Sequence, residues 1–166
     1  MSKIALFPGS FDPFTNGHLN TVKRASVLFE QVIIGIFINT SKTSLFTPQE
    51  KKVMVEAAIL QAGLSNVKVI LQEPKLSVEL ARDLGAGFLV RGIRNVKDYE
   101  YERDIQQLNN DLAAEIETVF FFSDPKFSHT SSSMIKEIFH FGGDISPYVP
   151  QEVLKQMKAK RQNNEI

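Results

Sequence analysis

Short runs rich in β-branched and aromatic residues recur along the chain. They lie at Lys3–Phe7, Val32–Ile38, Val67–Leu71, Phe88–Val90 and Thr118–Phe122. The second and fifth runs hardly alternate between apolar and polar side chains, which is typical of strands covered on both faces of a parallel sheet. We therefore predict five strands in one parallel sheet.

The segments between these runs carry apolar side chains every three or four residues, which is the spacing of one face of an α-helix. Three such stripes are Leu19, Val22, Ala25 and Phe29; Val53, Ala57, Leu60 and Leu64; and Tyr101, Ile105, Leu108 and Leu112. The spacing predicts helices that alternate with the strands.

Several helix boundaries are marked by residue types that favour helix ends. The segment Thr47–Glu50 combines an N-cap, a proline at the first helical position and a capping-box glutamate. The run Ser131–Ser133 predicts the start of another helix, which Gly142–Gly143 should end. A last helix should follow Pro150, and the chain becomes a polar tail from about Lys158.

Alternating strands and helices predict an α/β fold with a doubly wound, five-stranded parallel sheet, formed by a single domain over residues 1–166. Ligands of such sheets bind beyond the carboxyl ends of the strands, where the strand order reverses. The loops that follow the strands should therefore hold the functional residues. These loops are Pro8–His18, Asn39–Leu45, Arg91–Glu102 and Ser123–Ser133.

Composition narrows the classes of function. With 43% apolar and 23% charged residues, the 166-residue chain resembles an ordinary globular protein. Nineteen basic and nineteen acidic residues cancel, which argues against nucleic acid or an acidic membrane as partner. Cysteine is absent, so disulfides, thiolate metal sites and cysteine nucleophiles are excluded.

The start of the chain does not resemble a signal peptide and no apolar stretch could span a bilayer, so we expect a cytoplasmic protein.

The loop Pro8–His18 leaves the first predicted strand and enters the first predicted helix. A helix N-terminus offers free N–H groups and a positive dipole end to a phosphate. His18, at this position, could donate a hydrogen bond to a developing oxyanion. It also falls in line with Val22 and Phe29 on the apolar stripe, so a buried core histidine is the alternative. The glycines and prolines of the loop favour the functional interpretation.

Cations follow two of the other strands. Lys42 lies in a polar loop after the second strand, where it is either a phosphate ligand or a solvated surface residue. Arg91 and Arg94 follow the fourth strand, and arginine can bind a phosphate with two parallel hydrogen bonds. The alternative for this pair is a surface ion-pair network with Asp98, Glu100 and Glu102.

The segment Phe127–Ser133 ends in four consecutive hydroxyl residues, Thr130–Ser133, at a predicted helix start. One serine would suffice as an N-cap. The other hydroxyl groups and the N–H groups beside them could hold a polyphosphate without adding charge. On this segment alone, a simple cap and a cap combined with a phosphate site both stay open.

Other nucleotide and hydrolase motifs are absent from the sequence. A P-loop would need glycine in place of Ser41, and the dinucleotide signature would need glycine in place of Val90. A nucleophile elbow around Ser10 would need glycine on both sides, where Pro8 and Asp12 stand. The three histidines are too scattered for a zinc site, so we predict no protein-held metal.

Taken together, the loops resemble bacterial phosphopantetheine adenylyltransferases, a family of the nucleotidyltransferase superfamily with a T/HxGH signature. The signature is Thr15–His18, and the resemblance runs nearly from end to end of the chain. The other matching segments are Pro8–Pro13, Ser41–Lys42, Arg91–Arg94, Tyr99–Glu102 and Ser131–Ser133. Each is weak alone, but their order and spacing are specific.

The resemblance implies that the phosphate of 4'-phosphopantetheine attacks the α-phosphorus of ATP, giving dephospho-coenzyme A and pyrophosphate without a covalent enzyme intermediate. It implies that His18 stabilises the transition state and that Lys42 and Arg91 are further catalytic residues. The implied contacts of the pantetheine substrate are Ser10, Lys42, Ser77 and Arg91. The implied contacts of ATP are Ser10, Phe11, His18, Gly92, Ile93, Arg94, Glu102, Phe127, Ser128, His129, Thr130, Ser131, Ser132 and Ser133. Magnesium should accompany ATP, and members of the family are typically homohexamers.

Three positions depart from the family pattern. Ser10 stands where threonine is common, which keeps the hydroxyl group, and Lys51 replaces a frequent arginine. Ser77 occupies a variable substrate position. These departures affect the contacts expected for the acceptor and leave the expected reaction unchanged.

Two other functions are alternatives to this one. A sister transferase that acts on nicotinate mononucleotide or uses a cytidylyl donor usually has histidine at the first signature position, where this chain has Thr15, and commonly arginine in place of Lys136. A nucleotide-binding regulator without turnover would keep the phosphate loops but could dispense with His18. The complete set of motifs favours the enzyme.

Overall fold

The computed structural model describes residues 3–38 and 43–163 and contains a five-stranded, all-parallel sheet. The strands are β1 (Ile4–Gly9), β2 (Gln31–Phe37), β3 (Val67–Gln72), β4 (Phe88–Ile93) and β5 (Glu117–Phe122). Their order in the sheet is β3-β2-β1-β4-β5. All five predicted strands are present, and β4 runs three residues further than its apolar run.

The order reverses between β1 and β4, and the pairing there is incomplete. Strand β1 pairs with β2 along its whole length, from Ile4 opposite Gln31 to Gly9 opposite Ile36. It pairs with β4 only through Ala5 and Leu6. Beyond Leu6 the two strands separate, which opens a crevice at their carboxyl ends where ligands of such sheets bind.

Helices cover both faces of the sheet. They are α1 (Asn16–Leu28), α2 (Pro48–Gln61), α3 (Ser77–Asp83), α4 (Val96–Leu112), α5 (Ser132–His140) and α6 (Gln151–Gln162), with a 3₁₀ turn at Pro125–Phe127. Two separate clusters of buried apolar residues divide the core. The larger is centred on residues such as Phe14, Ile34 and Met54, and the smaller on Leu6, Leu80 and Leu89.

The predicted helix caps are present. Thr47 and Glu50 form a reciprocal capping box at the start of α2, with Pro48 at the first helical position. The hydroxyl group of Ser131 accepts the N–H of Met134 and caps α5. After α5, Gly142 adopts a positive φ of 85°, which an L-side chain rarely adopts and which ends the helix.

The apolar stripe on α2 is not its buried face. Val53 and Leu60 are exposed, the latter by 82%, whereas the buried face consists of Lys51, Met54, Val55, Ala58 and Ile59. Both sets have helical spacing, so the spacing predicted the helix but could not choose its inward face. Likewise α4 contains no buried residue, and its apolar stripe points away from the core.

The C-terminal helix is docked beyond the point at which a polar tail was predicted. Lys160 forms an ion pair with Glu50 of α2 at 3.2 Å, and the Arg161 guanidinium lies 3.6 Å from the centre of the Phe139 ring. Long basic side chains pack their aliphatic parts on apolar surface while their charged groups remain hydrated. Over residues 3–38 and 43–163, no helix has the length and apolar character that a bilayer crossing needs.

Candidate active site

A cavity of about 490 Å³ opens at the crevice between β1 and β4. We call it the main cavity. The residues that line it are Phe7, Pro8, Gly9, Ser10, Phe11, Thr15, Gly17, His18, Thr21, Arg91, Gly92, Arg94, Asp98, Tyr101, Glu102, Ser123, Phe127, Thr130, Ser131, Ser132 and Ser133. Segments far apart in sequence therefore converge at one edge of the sheet, as the order of loops and strands predicted.

Most of the predicted site residues line this cavity, but four of those that the structure describes do not. Ile93 is 1% exposed, and its side chain belongs to the core. Ser128 donates its hydroxyl to the carbonyl of Pro125, and His129 is exposed beside it. Ser77 begins α3 and is half-buried away from the main cavity. Lys42 lies outside the described residues, so its predicted role stays a prediction.

The His18 ring is held by the residue that starts its own helix. The backbone N–H of Thr15 donates to Nδ1 of His18 at 3.0 Å, while the Thr15 hydroxyl accepts the backbone N–H of His18 at 3.2 Å. This is a capping box in which histidine replaces the usual glutamate. Because Nδ1 accepts this hydrogen bond, the neutral ring carries its own proton on Nε2, which is left to donate to a ligand in the cavity.

Aromatic rings enclose the same histidine. Phe14 stacks on the imidazole at 5.6 Å between ring centres, and Phe11 meets it edge-on at 5.1 Å. Burial, reinforced by the positive charge of Arg94, lowers the pKa of His18 to about 4. His18 is therefore neutral at physiological pH. His18 packs against these core rings and also lines the main cavity, so its position is compatible with both interpretations of the sequence, and its catalytic role stays a prediction.

The loop that carries Phe11 has an unusual backbone. Phe11 has a positive φ of 46°, and the Asp12–Pro13 peptide bond is cis. A Cβ atom added at Gly9 would lie 2.8 Å from the Phe11 ring, so the ring and glycine require each other. Glycine at position 9 is therefore needed for the packing of the Phe11 ring.

Arg91 projects from β4 into the main cavity and is held by α4. Its Nε donates to Glu102 Oε2 at 2.6 Å, its Nη2 donates to the other oxygen, and its Nη1 donates to the carbonyl of Pro8 at 3.3 Å. The Glu102 side chain is 12% exposed. Three contacts thus fix the guanidinium plane, and charge-assisted pairs of this kind are the stronger hydrogen bonds of proteins.

Arg94 forms a second such pair. Its Nε and Nη2 donate to the two oxygens of Asp98 at 2.7 and 3.1 Å, and its Nη1 reaches the Thr130 carbonyl at 3.4 Å. The ion-pair network considered as an alternative therefore exists for Asp98 and Glu102. Since all four side chains line the main cavity, the pairs coexist with a cavity that offers two guanidinium groups.

The hydroxyl run at the start of α5 is largely engaged within the protein. Ser131 caps the helix, Ser132 donates to the Pro13 carbonyl at 2.8 Å, and Thr130 donates to the Phe127 carbonyl at 2.8 Å. The backbone N–H groups of Ser132 and Ser133 begin the helix and have no intrahelical acceptor. They can serve an anion at this end of the main cavity, where the helix dipole is positive.

A smaller cavity of about 170 Å³, the side cavity, adjoins the main one. Ser10, Ser132 and Ser133 line both. The remaining residues that line the side cavity are Asp12, Thr43, Ser44 and Lys136. Asp12 lies within the matching segment Pro8–Pro13, but no local pattern in the sequence predicts a role for it.

Asp12 is the centre of a buried charge cluster. Its carboxylate accepts the N–H groups of Leu45 and Phe46 at 2.9 and 3.0 Å and the ammonium of Lys136 at 3.0 Å, and Lys51 lies 3.8 Å away. Burial raises the pKa of Asp12, but these hydrogen bonds and charges outweigh burial and hold the pKa below its usual value. Burial also lowers the pKa of Lys51, which is 3% exposed, and Asp12 offsets this only in part.

No group of three or more histidine, aspartate or glutamate side chains in the described residues could hold a metal ion. The carboxylates of the main cavity, Asp98 and Glu102, are each paired with an arginine. The described side chains therefore do not fit a metal held by the protein alone, and we derive no catalytic step through one.

Comparison with known proteins identifies the family to which the chain belongs. Residues 6–138 match the model of cytidylyltransferase-like proteins. The chain is 52% identical over 158 residues to the phosphopantetheine adenylyltransferase of Lacticaseibacillus casei, covering 95% of this chain and 93% of that protein. The chain belongs to the phosphopantetheine adenylyltransferase family. The enzyme of the same name from Streptococcus mutans is 45% identical over 163 residues, covering 98% and 97% of the two chains.

More distant structures share the fold. A bifunctional NMN adenylyltransferase/ADP-ribose pyrophosphatase from Francisella tularensis, solved with AMP and a manganese ion, matches with a TM-score of 0.65 at 18% identity. The match covers 90% of this chain and 44% of that longer one. At this identity the likeness concerns the fold alone. The predicted fold class and the predicted membership of the phosphopantetheine adenylyltransferase family are both confirmed.

Proposed function

We propose that this chain performs the reaction for which its family is named, by direct in-line attack and without a covalent enzyme intermediate. It transfers the adenylyl group of ATP to 4'-phosphopantetheine, giving dephospho-coenzyme A and pyrophosphate. An oxygen of the acceptor phosphate forms a bond to the α-phosphorus of ATP. The bond from that phosphorus to the oxygen bridging to the β-phosphorus breaks, and pyrophosphate leaves with the electron pair.

The observation that carries this proposal is the state of His18. Its Nδ1 is occupied by the Thr15 N–H, and its lowered pKa keeps the ring neutral, so Nε2–H is a donor and the ring is not a nucleophile. A fixed neutral donor beside a cavity suits stabilisation of negative charge on an oxygen of the α-phosphoryl group during transfer. Such a donor needs no reorganisation when the charge develops.

The charged groups around His18 suit two phosphorylated substrates. Arg94 and the N-terminus of α5 lie at the end of the main cavity that includes Thr130–Ser133, and we assign this end to the triphosphate of ATP. Arg91, with Lys42 and Ser10, is assigned to the acceptor phosphate. Positioning and charge stabilisation account for the rate of phosphoryl-type transfers with little covalent chemistry from the protein.

Several finer assignments rest on the family resemblance. We propose that Ser77 contacts the pantetheine arm, and that Ile93, Ser128 and His129 meet ATP through backbone groups or after local movement. Magnesium, held by the triphosphate oxygens, would supply neutralising charge to the nucleotide. We place the enzyme in the cytoplasm.

We further propose that the chain assembles as a homohexamer. Support comes from α4, whose stripe Tyr101, Leu108 and Leu112 is exposed by 64, 60 and 54% in the single chain. Contiguous exposed apolar surface commonly marks a contact between proteins. Light scattering coupled to size-exclusion chromatography should give six chains for the wild type and fewer for Leu108→Glu. A monomeric wild type would contradict the assembly and leave the reaction unaffected.

A panel of acceptors and donors tests the reaction. Pyrophosphate release is measured with ATP or CTP, each offered 4'-phosphopantetheine, nicotinate mononucleotide or glycerol 3-phosphate. We expect release only with ATP and 4'-phosphopantetheine. Release with nicotinate mononucleotide would favour the sister transferase. ATP binding without release on any acceptor would favour a nucleotide-binding regulator.

A further inference from the structure

One carboxylate joins four separate parts of the chain beside the active site. Asp12 lies in the loop between β1 and α1, and its contacts reach the segment before α2, α2 itself and α5. Only 7% of the residue is exposed. The mechanism above uses neither Asp12 nor its lysine partners, although Asp12 and Lys136 line the side cavity that opens from the main one.

The contacts with the segment before α2 are specific in geometry. Each oxygen of Asp12 accepts one of two consecutive backbone N–H groups, Oδ2 from Leu45 and Oδ1 from Phe46. The Phe46 side chain is buried at 1% exposure, and Thr47 begins α2 directly after it. We call residues 43–46 the acceptor-side segment, because they follow Lys42 in the chain. Asp12 thus clamps this segment through its backbone.

Asp12 also contacts α5, which forms the nucleotide end of the main cavity in the function proposed above. Lys136 of α5 donates to Oδ2 of Asp12, and the first turn of α5 contains Ser132 and Ser133, which line both cavities. Ser132 also donates to the carbonyl of Pro13, the residue after Asp12. The loop at Asp12 is therefore fixed to α5 at two neighbouring points.

We propose that Asp12 is a positioning residue that sets the distance between the acceptor-side segment and the nucleotide end of the active site. The proposal rests on the function above for the identity of the two substrates. In-line transfer needs the acceptor oxygen and the α-phosphorus to be aligned, and a displacement of about 1 Å can lower the rate by about a hundredfold. Asp12 maintains that alignment without touching either substrate.

Asparagine at this position tests the role of the carboxylate. It has nearly the same shape, but its NH₂ group would face the N–H of Leu45 or Phe46, and it cannot neutralise two lysines. Asp144→Asn is the matched control, because Asp144 accepts the N–H and hydroxyl of Ser146 in an exposed turn outside both cavities. Each variant is compared with the wild type by amide hydrogen exchange and by steady-state kinetics with either substrate varied.

For Asp12→Asn we expect exchange at the Leu45 and Phe46 amides to rise about tenfold or more, because at least one loses its acceptor. We also expect the KM for 4'-phosphopantetheine to rise and kcat to fall, each by about tenfold, while the KM for ATP stays within about threefold. Asp144→Asn should match the wild type in all these quantities. A merely structural role would lower thermal stability and the active fraction while leaving both KM values unchanged.

Unchanged exchange at the two amides, or equal changes in both KM values, would overturn the positioning role while the reaction itself stands. A wild type that transfers no AMP would overturn the proposed function, and hydrogen exchange would still decide whether Asp12 holds the segment. If Asp12→Asn does not fold, Asp12→Asn combined with Lys51→Met removes the buried pair together and avoids an unpaired buried lysine. For this double variant we expect the same rise in the KM for 4'-phosphopantetheine without a matching rise for ATP, and the same faster exchange at the Leu45 and Phe46 amides.

Discussion

The backbone N–H of Thr15 donates a hydrogen bond to Nδ1 of His18 across 3.0 Å. The first and last positions of the T/HxGH signature are therefore in direct contact, and the contact sets which ring nitrogen carries the proton. The same pair caps helix α1, since the Thr15 hydroxyl accepts the backbone N–H of His18. One turn of the chain therefore both caps helix α1 and orients the His18 ring.

Replacement of Thr15 by alanine should separate these two effects. Thr15→Ala removes the side-chain cap but keeps the backbone N–H, so we expect a loss of about 0.5–2 kcal/mol in the free energy of unfolding with kcat lowered less than about tenfold. Thr47→Ala is the control, because Thr47 forms the same type of capping box at α2 outside both cavities. Urea unfolding and kinetics check both variants. A collapse of kcat in Thr15→Ala alone would mean that the hydroxyl itself takes part in the reaction.

Replacement of His18 by alanine should affect turnover much more than binding. We expect kcat to fall by about a hundredfold or more, because a donor aimed at developing charge is lost, while ATP still binds. His140→Ala serves as control, since this exposed histidine ends α5 and does not line either cavity. Calorimetric titration with ATP and steady-state kinetics make the comparison. Equal turnover in the two variants would return His18 to a purely structural role.

The pKa of His18 predicts a specific dependence of stability on pH. Burial and Arg94 lower this pKa from 6.5 to about 4. Between these values the unfolded chain binds a proton that the folded chain does not, so the free energy of unfolding decreases as pH falls through this window. We expect a loss on the order of 1–3 kcal/mol from His18 alone. Urea unfolding between pH 7 and about pH 4 should show a steeper decline in the free energy of unfolding for the wild type than for His18→Gln. Parallel curves for the two proteins would argue against a lowered pKa of His18.

The pair of Arg91 and Glu102 can be tested against an exposed pair of the same kind. Glu102→Gln keeps the shape but removes the charge that orients Arg91, so kcat/KM for 4'-phosphopantetheine should fall by about tenfold and the free energy of unfolding by about 1–3 kcal/mol. Glu115→Gln disrupts the exposed surface pair with Arg82 and should leave both the free energy of unfolding and the kinetics nearly unchanged. Similar kinetics in both variants would show that Arg91 does not need its partner.

The sequence predicted the secondary structure well because those signals are local. Capping at Thr47 and Ser131 was recognisable, since an N-cap and its partner lie within four residues of each other. The spacing of apolar residues predicted helix α2 but could not identify its inward face. Its exposed stripe and its buried face have the same periodicity, and only packing against the sheet and α6 selects Met54 and Ile59 over Val53 and Leu60.

The candidate active site likewise contains residues that local motifs indicate and contacts that only the folded chain brings together. Local motifs indicated His18, Arg91, Arg94 and the hydroxyl run, because loops after parallel strands meet at one edge of a sheet. The clamp at Asp12 could not be found from spacing, since its partners Leu45 and Lys136 lie 33 and 124 residues away in the chain. No periodic pattern relates residues so far apart.

The sequence by itself therefore determined the α/β alternation, the family and the loops that line the main cavity, all of which depend on neighbours in the chain. Only the tertiary structure decided that β1 and β4 separate beyond Leu6, that Thr15 sets the proton of His18, and that Arg91 and Arg94 face the cavity already paired with carboxylates. These features depend on the distance and direction between side chains brought together by the sheet. Such distances arise from packing of the whole chain and are not encoded in any single segment.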